Sequence, residues 1–265
     1  MKKRPLILIT NDDGIHAPGI EKLWDTLHDG SIADLIIIAP ATERSGTGVS
    51  ITWDRPILIQ KIEWRHNTPA WAIDGTPADC VKMGMRLLLN IKPDFIFSGI
   101  NAGSNAGRNV LHSGTLGAVI EGVLRGIPGI ALSCESEAHP NFELAEKYIP
   151  DIVHYLIAHP LPSGCLLNIN FPNVPQEKVK GFRMTKQGKG RWAEDPFLHI
   201  DTEHGPSYWL GGKPEEITEE EESDITLLHQ GYVTAVPLDV HDLTHSKELK
   251  ARSQNFHTFF SKHSS

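Results

Sequence analysis

The segment that most constrains the fold is Leu6–Gly14, in which a charge-free run ends at two adjacent carboxylates and a glycine. Its first four residues are all apolar, which is typical of a strand buried on both faces inside a parallel sheet. Open parallel sheets bind ligands beyond the carboxyl ends of their strands, so Asp12 and Asp13 lie where a site is expected. The sequence therefore predicts an α/β fold with a site after its first strand.

The adjacency of Asp12 and Asp13 favours a divalent cation. Neighbouring residues of a strand point to opposite faces, so both carboxylates can approach one ion only if the backbone turns, and Gly14 permits such a turn. Carboxylates held together repel, and a cation that prefers oxygen ligands, such as Mg²⁺ or Mn²⁺, relieves the repulsion. The same residues also suit an ordinary strand-to-helix turn with a capping aspartate, and both interpretations stand at this point.

Length and charge limit the classes of protein to consider. A chain of 265 residues can form one large α/β domain, or a domain with an appendage. The formal net charge of −8 argues against a nucleic-acid groove, which needs a basic stripe. No run approaches the roughly 20 apolar residues of a membrane span. Cys80, Cys134 and Cys165 lack zinc or disulfide spacing, so we expect a protein of the reducing cytoplasm.

Strands and helices alternate along the first two thirds of the chain. Ile20, Leu23, Trp24 and Leu27 recur at helical spacing, and a second apolar strand follows them. Further strands of the same kind are predicted at 95–98, 130–133 and 165–171. This alternation predicts a doubly wound, mostly parallel sheet flanked by helices.

The pattern changes after Pro172. Residues 188–224 are rich in Gly, Pro, Trp and acidic residues, and solvation is the ordinary explanation for the acidic run Glu219–Glu222. A late strand is predicted at Tyr232–Pro237. We therefore expect an α/β core over residues 1–175 and an extended segment over 176–265 that carries a projecting hairpin or loop.

Two loops after strands carry candidate functional groups. Ala41–Gly48 is polar and rich in glycine, so it can meet an anion or a metal, although the composition of this loop taken alone favours a flexible connection. Ser98–Asn109 offers the amide oxygens of Asn101 and Asn105, and it matches neither a dinucleotide fingerprint nor a P-loop. Asp79, by contrast, stands three residues after a capping Thr76 and is expected to stabilise a helix start.

A helix start at Ser113, Gly114 and Thr115 follows the second loop. Apolar residues at helical spacing begin at Leu116, so these three residues lie at the N-terminus of a helix. Free amides and the helix dipole make such an end suitable for a phosphate group, and the two hydroxyls add donors. The alternative is that Ser113 or Thr115 only caps its own helix.

The sequence contains four ordered motifs: Asn11–Gly14, Ala39–Pro40 with Ser45–Gly48, Asp74–Val81, and Ser98–Gly103 with Ser113–Thr115. Together they closely resemble the SurE family, the stationary-phase survival proteins, which are metal-dependent 5'-nucleotidases. The likeness is specific over roughly residues 5 to 133.

The resemblance implies a Rossmann-like α/β fold, a C-terminal part that makes dimer or tetramer contacts, and one divalent cation at the strand ends. By position, the residues that look like the family's metal ligands are Asp12, Asp13, Ser45 and Asn101. Those that look like its phosphate-binding residues are Asn105, Ser113, Gly114 and Thr115.

The expected reaction is hydrolysis of a nucleoside 5'-monophosphate by a metal-activated water, with Asp12 and Asp13 as the catalytic carboxylates. His16 and His112 are candidates to protonate the leaving ribose oxygen, although the sequence favours a structural role for either of them. Two alternatives remain from the sequence. One is a broader phosphatase that forms an aspartyl-phosphate, and the other is a non-catalytic nucleotide-binding regulator.

Overall fold

A computed structural model describes residues 4–203, 205–215 and 217–261 of the chain. Over these residues the strands are β1 (Leu6–Thr10), β2 (Asp34–Pro40), β3 (Ile59–Ile62), β4 (Ala70–Ile73), β5 (Phe95–Ala102), β6 (Gly129–Cys134), β7 (Cys165–Phe171), β8 (Phe182–Met184), β9 (Trp192–Thr202), β10 (Gly205–Pro214) and β11 (Val233–Asp239). The α-helices are α1 (Pro18–Asp29), α2 (Pro77–Met83), α3 (Gly114–Leu124), α4 (Phe142–Ala158), α5 (Asp224–His229) and α6 (Ser246–Ser261). None of the helices in the described ranges has the length and apolarity needed to cross a membrane.

All strands except β9 and β10 lie in one sheet, with the order β3-β4-β2-β1-β5-β6-β7-β11-β8. The neighbours from β4 to β7 are parallel, whereas β3 and β11 run antiparallel to β4 and β7. The chain builds outward from β1 to one side through β2 and β4, and then to the other side from β5 through β7. This confirms the predicted Rossmann-like, doubly wound α/β fold.

The burial of β1 on both faces explains its unbroken apolar sequence. Ile7 and Ile9 pack on the side of the sheet covered by α1 and α4, and Leu8 packs on the opposite side with residues of α2 and α3. Adjacent side chains of a strand point to opposite faces, so consecutive residues of β1 from Ile7 to Ile9 all need apolar side chains.

The winding direction reverses between β1 and β5, which are hydrogen-bonded neighbours in the sheet. Ligands of open α/β sheets bind at such a reversal, in the crevice beyond the carboxyl ends of the strands. Asp12 and Asp13 follow the end of β1, and Asn101 lies near the end of β5. The topology therefore brings two of the sequence motifs to one crevice.

The start of α2 has the predicted capping box. The Thr76 hydroxyl accepts a hydrogen bond from the Asp79 N–H at 3.1 Å, and the Asp79 carboxylate accepts one from the Thr76 N–H at 2.9 Å. The same carboxylate also accepts from the N–H of Thr52 at 3.1 Å. Its role as a helix-start residue is confirmed.

The chain after residue 175 contributes to two sheets. β9 and β10 form an antiparallel hairpin whose base is closed by a hydrogen bond from the Glu215 N–H to the Arg191 carbonyl at 2.8 Å. β11 inserts between β7 and β8 in the main sheet, and it is the late strand that the sequence predicts. The division of the chain at residue 175 stays a prediction.

Glu220–Glu222 of the acidic run are exposed, as the solvation interpretation predicts, whereas Glu219 has a structural role. Glu219 accepts hydrogen bonds from the backbone N–H groups of Lys189, at 2.8 Å, and Gly190. Glu220 forms ion pairs with Lys186 and Lys189. Glu219 therefore holds the segment that leads into β9, while the ion pairs of Glu220 are exposed.

Candidate active site

A cavity of about 440 Å³ opens at the reversal between β1 and β5. Five of the predicted site residues line it, and they come from four separate loops and strand ends: Asp12, Ser45, Asn101, Asn105 and Ser113. The described residues that line it also include Asn109, His112, Glu137, Trp192 and Leu210. The fold thus gathers side chains that are about a hundred positions apart in the sequence.

Asp12 is buried, with 4% of its surface exposed. The Thr115 hydroxyl donates a hydrogen bond of 2.5 Å to Asp12 Oδ1. Burial raises the pKa of Asp12, and the hydrogen bonds from Thr115 oppose that shift. A Cβ atom at Gly114 would lie 2.8 Å from the Asp12 Cβ, so α3 can approach the carboxylate only because this position is glycine.

Asp13 is half-buried beside Asp12 and close to the backbone N–H of Ala102 at the end of β5. Burial and then the charge of Asp12 raise the pKa of Asp13 to about 7. Asp13 itself does not line the cavity. The turn at Gly14, where φ is +106°, nevertheless keeps the two carboxylates close enough to interact electrostatically.

The loop that carries Ser45 is anchored at both ends. The Arg44 N–H donates to the Asp12 carbonyl at 2.7 Å, and the Gly48 N–H donates to the His112 carbonyl at 2.9 Å. The Ser45 hydroxyl donates to Glu43 at 2.9 Å, which leaves the lone pairs of its oxygen for a cation. The interpretation of this loop as a flexible connection is therefore not favoured.

The side-chain amide of Asn101 is oriented by its own loop. Its Nδ2 donates to the Gly103 carbonyl at 2.7 Å, which makes Oδ1 the atom available to a cation.

Asn105 is fixed by a network of buried polar side chains. Its Nδ2 donates to the Ser133 hydroxyl at 2.8 Å, and its N–H donates to Asn170 Oδ1 at 2.8 Å. Asn168 Nδ2 donates to the Asn105 carbonyl at 2.8 Å. Sequence reasoning missed Ser133, Asn168 and Asn170 as supporting residues. The sequence signal that could have indicated them is the pair Asn168 and Asn170 on one face of the otherwise apolar strand β7, because buried polar groups need hydrogen-bond partners.

The hydroxyl groups at the start of α3 are used within the protein. Ser113 is the N-cap, and its hydroxyl accepts a hydrogen bond of 3.2 Å from the Leu116 N–H. The Thr115 hydroxyl is directed to Asp12. The capping alternative is therefore realised for Ser113, and the backbone N–H groups of Gly114 and Thr115 contribute hydrogen bonds to Asp12. The positive end of the α3 dipole lies at the cavity, which Ser113 lines.

Of the two candidate histidines, His112 lines the cavity and His16 is an exposed residue outside the lining. His112 precedes the N-cap of α3, and its carbonyl holds the Ser45 loop through Gly48.

The available donors match a cation that prefers oxygen. Asp12 and Asp13 supply carboxylates, Ser45 a hydroxyl and Asn101 an amide oxygen, the ligand types that suit Mg²⁺ and Mn²⁺. Within the described ranges, no group of three or more His, Cys, Asp or Glu side chains is arranged to hold a metal. A cation at this site would depend on the neutral oxygens to complete its ligand set.

The fold and the site together define a Rossmann-like α/β protein with an oxygen-rich cavity and a helix N-terminus at the winding reversal. A family model described as survival protein SurE matches residues 7–194. The chain belongs to the SurE family, as the sequence motifs predict.

Similar proteins cover almost the whole chain. A 5'-nucleotidase SurE of Protochlamydia amoebophila is 46% identical over 261 residues, which are 98% of this chain and 99% of that protein. A 5'-nucleotidase SurE of Heliobacterium modesticaldum is 38% identical and covers 90% of this chain and 87% of its own. The crystal structure of the SurE protein from Aquifex aeolicus superimposes with a TM-score of 0.80 at 37% identity, and covers 95% of this chain and 100% of its own.

Proposed function

We propose that this protein is a metal-dependent 5'-nucleotidase that hydrolyses nucleoside 5'-monophosphates to a nucleoside and inorganic phosphate. The observation that supports this most directly is the cavity shared by Asp12, Ser45, Asn101 and Asn105 at the start of α3. It combines oxygen ligands for a cation with a helix N-terminus for a phosphate group. The names of the similar proteins agree with this activity.

The proposed metal ligands are Asp12, Asp13, Ser45 and Asn101, and they would hold one divalent cation, with Mg²⁺ or Mn²⁺ as the proposed metal. When bound, the cation would activate a water and draw charge from a phosphoryl oxygen. The raised pKa values of both aspartates reflect an environment that disfavours two bare negative charges, and a cation would remove that penalty.

Asn105, Ser113, Gly114 and Thr115 are the proposed phosphate-binding residues. Their contribution would be to position the phosphate at the positive end of the α3 dipole, which offsets its charge, beside an Asn105 side chain that the buried network holds in place. Thr115 adds a second function, since its hydrogen bond fixes the orientation of Asp12.

Neither alternative is favoured by the names of the similar proteins. An aspartyl-phosphate enzyme would accumulate an acyl-phosphate on Asp12 or Asp13 during turnover, which mass spectrometry of the quenched enzyme would detect. A nucleotide-binding regulator would bind monophosphates without releasing phosphate under any cation.

The test is phosphate release from a panel of nucleoside monophosphates after treatment with chelator, followed by addition of Mg²⁺, Mn²⁺ or Ca²⁺. We expect activity only after a cation is restored. Asp12→Ala should reduce both the metal affinity and the rate to the level of the chelated enzyme. The control is Asp151→Ala, at an exposed position on α4. Wild-type phosphate release that persists in chelator would refute the proposal.

We also propose a homodimer or homotetramer formed through the C-terminal segment. The hairpin β9–β10 exposes six large apolar side chains, each more than half accessible: Phe197, Leu198, Ile200, Tyr208, Trp209 and Leu210. Exposed apolar groups concentrated on one element mark an interaction surface. Light scattering on wild-type protein and on a Phe197→Ser, Trp209→Ser double variant tests this, and a monomeric wild type would contradict it.

A cytoplasmic location fits the three cysteines. Cys80 and Cys134 are buried, and none of the three is in a disulfide. Burial raises the pKa of Cys134 to about 12, which keeps it a thiol. Fractionation of cells that make the protein would test the location.

A further inference from the structure

A second cavity, of about 730 Å³, adjoins the first. Small-molecule sites usually measure about 300 to 1,000 Å³, so both cavities have the size of a ligand site. Five residues line both cavities: Gly103, Ser104, Asn109, Glu137 and Trp192. The two spaces therefore meet along a common wall and can be occupied by two parts of one molecule.

The lining of the larger cavity combines apolar side chains with carboxylates. Its apolar part comes from Ala106, Ile217, Ile225 and Leu228 together with the indole of Trp192. An apolar lining and an exposed aromatic ring suit the face of a heterocyclic base. The lining is unsuited to a second phosphate group, because its carboxylates would repel one.

Most of these carboxylates already have partners. Glu135 accepts a hydrogen bond from the Asn173 N–H at 2.8 Å and lies 3.4 Å from His229 Nε2. Glu215 pairs with Arg191 at 2.7 Å. Glu219 holds the backbone at residues 189–190.

Glu137 differs from the other three carboxylates. Across the described residues it makes no hydrogen bond or ion pair, and it lines both cavities. Its carboxylate is exposed and available to a ligand that crosses from one cavity to the other.

We propose that the larger cavity receives the nucleoside part of the substrate, with the base against Trp192 and the ribose beside Glu137. This rests on the proposed function, which places the 5'-phosphate in the smaller cavity. The ribose joins the phosphate to the base, so it has to lie at the boundary between the two cavities, beside the residues that line both. A carboxylate there accepts hydrogen bonds from ribose hydroxyls and repels a second phosphate on the ribose.

The first experiment compares a nucleoside 5'-monophosphate with methyl phosphate, which lacks the nucleoside. We expect Trp192→Ala to lower kcat/KM for the nucleotide about tenfold, the usual effect of losing one base-stacking aromatic ring. The value for methyl phosphate should stay within about twofold, because that ester does not reach the larger cavity. The control is Trp53→Ala, since Trp53 is exposed and lies outside both linings. Equal losses on both esters, or no loss on the nucleotide, would overturn the assignment of the base.

The second experiment uses a nucleoside 3',5'-bisphosphate and follows formation of the nucleoside 3'-monophosphate by chromatography. We expect Glu137→Gln to raise kcat/KM for the bisphosphate about tenfold relative to the 5'-monophosphate, because one repelling charge is removed. Taking the ratio of two substrates cancels any effect of the variant on metal binding. The control is Glu177→Gln, an exposed glutamate in the 3₁₀ turn Gln176–Lys178. An unchanged ratio would refute the role of Glu137.

A binding measurement separates this proposal from the proposed function. Adenosine, which has no phosphate, is titrated calorimetrically into the chelated protein. We expect wild type to bind it, and Trp192→Ala to weaken that binding about tenfold. Failure of phosphate release with retained adenosine binding would refute the nucleotidase and leave the nucleoside site in place. Phosphate release without adenosine binding would refute the nucleoside site alone.

Discussion

At the scale of single residues, the pKa of Asp13 gives the metal-free protein a specific pH dependence. Burial and the neighbouring Asp12 raise this pKa from 3.8 to about 7, so the folded protein retains a proton that the unfolded chain has lost. Stability therefore falls as the pH rises from about 4 to about 7, and levels off above that range. Asp13→Asn removes this contribution.

The corresponding measurement is thermal unfolding in chelator between pH 4 and pH 8. The Tm of Asp13→Asn minus that of wild type should increase up to about pH 7 and then stay constant, since the amide cannot ionise. Comparing the two proteins at each pH cancels the titration of other groups. A difference that does not change with pH would show that the Asp13 carboxyl ionises normally in the fold.

His112 supports a second prediction at this scale. If it protonates the leaving oxygen, His112→Ala should lower kcat for a nucleoside monophosphate about a hundredfold, within the range of general acid catalysis. The loss on p-nitrophenyl phosphate should be much smaller, because p-nitrophenolate leaves without a proton. His16→Ala is the control, as that side chain lies outside the cavity. Equal losses on both esters would show that the His112 side chain does not protonate the leaving oxygen.

The sequence could reveal some site residues and not others. Asp12, Ser45 and Asn101 stand in short motifs directly after predicted strands, so their convergence follows from the rule for open parallel sheets. Glu137 and Trp192 lie in stretches with no motif, and they join the site only through tertiary packing. Their positions depend on loop paths and on the hairpin, which local sequence patterns do not determine.

At the scale of elements, the capping box of α2 gives a stability prediction. The Asp79 carboxylate accepts hydrogen bonds from the backbone N–H groups of Thr76 and Thr52. Asp79→Ala removes this acceptor, so both N–H groups lose the hydrogen bond. We expect a loss of about 2 kcal/mol in the free energy of unfolding, the upper range for a helix cap. Asp29→Ala, at the exposed end of α1, should change it by less than about 0.5 kcal/mol. Chemical denaturation measures both, and equal effects would contradict the capping role.

Elements with strong local signals are the ones that the sequence predicts well. The apolar runs of β1 and β2 and the helical spacing in α1 need no tertiary information. Helix α6 offers no such signal, because its 16 residues are largely polar and its described side chains are mostly exposed. The hairpin β9–β10 is likewise stabilised by pairing between its two strands, which composition alone does not reveal.

Asp224 connects two elements that no sequence pattern relates. It is fully buried, and it accepts hydrogen bonds from the N–H groups of Gly107 at 3.1 Å and Gly188 at 2.7 Å. It thereby ties the loop after β5 to the segment that leads into β9. Burial raises the pKa of Asp224, and these backbone N–H groups oppose the shift.

Asp224→Asn is expected to destabilise the fold by about 2 to 3 kcal/mol. The two carboxylate oxygens accept hydrogen bonds from backbone N–H groups, and the substitution replaces one of these oxygens by an NH₂ group that cannot accept them. Glu220→Gln is the matched control, because Glu220 lies four residues before Asp224 and also contacts the segment that leads into β9. Its ion pairs with Lys186 and Lys189 are exposed, so the unfolding midpoint should hardly move. Denaturant unfolding of both variants decides the matter, and a midpoint for Asp224→Asn equal to that of wild type would refute the role of Asp224.

At the scale of the whole molecule, the position of β11 bears on where the chain can be divided. β11 pairs with β7 from Thr234 to Asp239, and β8 pairs with β11 in turn. A fragment of residues 1–175 would leave the hydrogen-bonding edge of β7 open, and an open apolar edge strand favours aggregation. We therefore expect this fragment to be unstable, although it contains every proposed metal and phosphate residue.

Excision of the hairpin should have the opposite result. Residues 193–213 can be replaced by Asn-Gly, because Trp192 and Pro214 are paired across the hairpin and an Asn-Gly turn closes two antiparallel strands. This variant keeps β8, β11 and Asp224, so we expect cooperative unfolding with a Tm near that of wild type. Circular dichroism and light scattering compare it with the fragment. A folded, monomeric 1–175 fragment would show that the sheet is complete without its C-terminal strands, and loss of the fold on hairpin excision would show that the core depends on the hairpin.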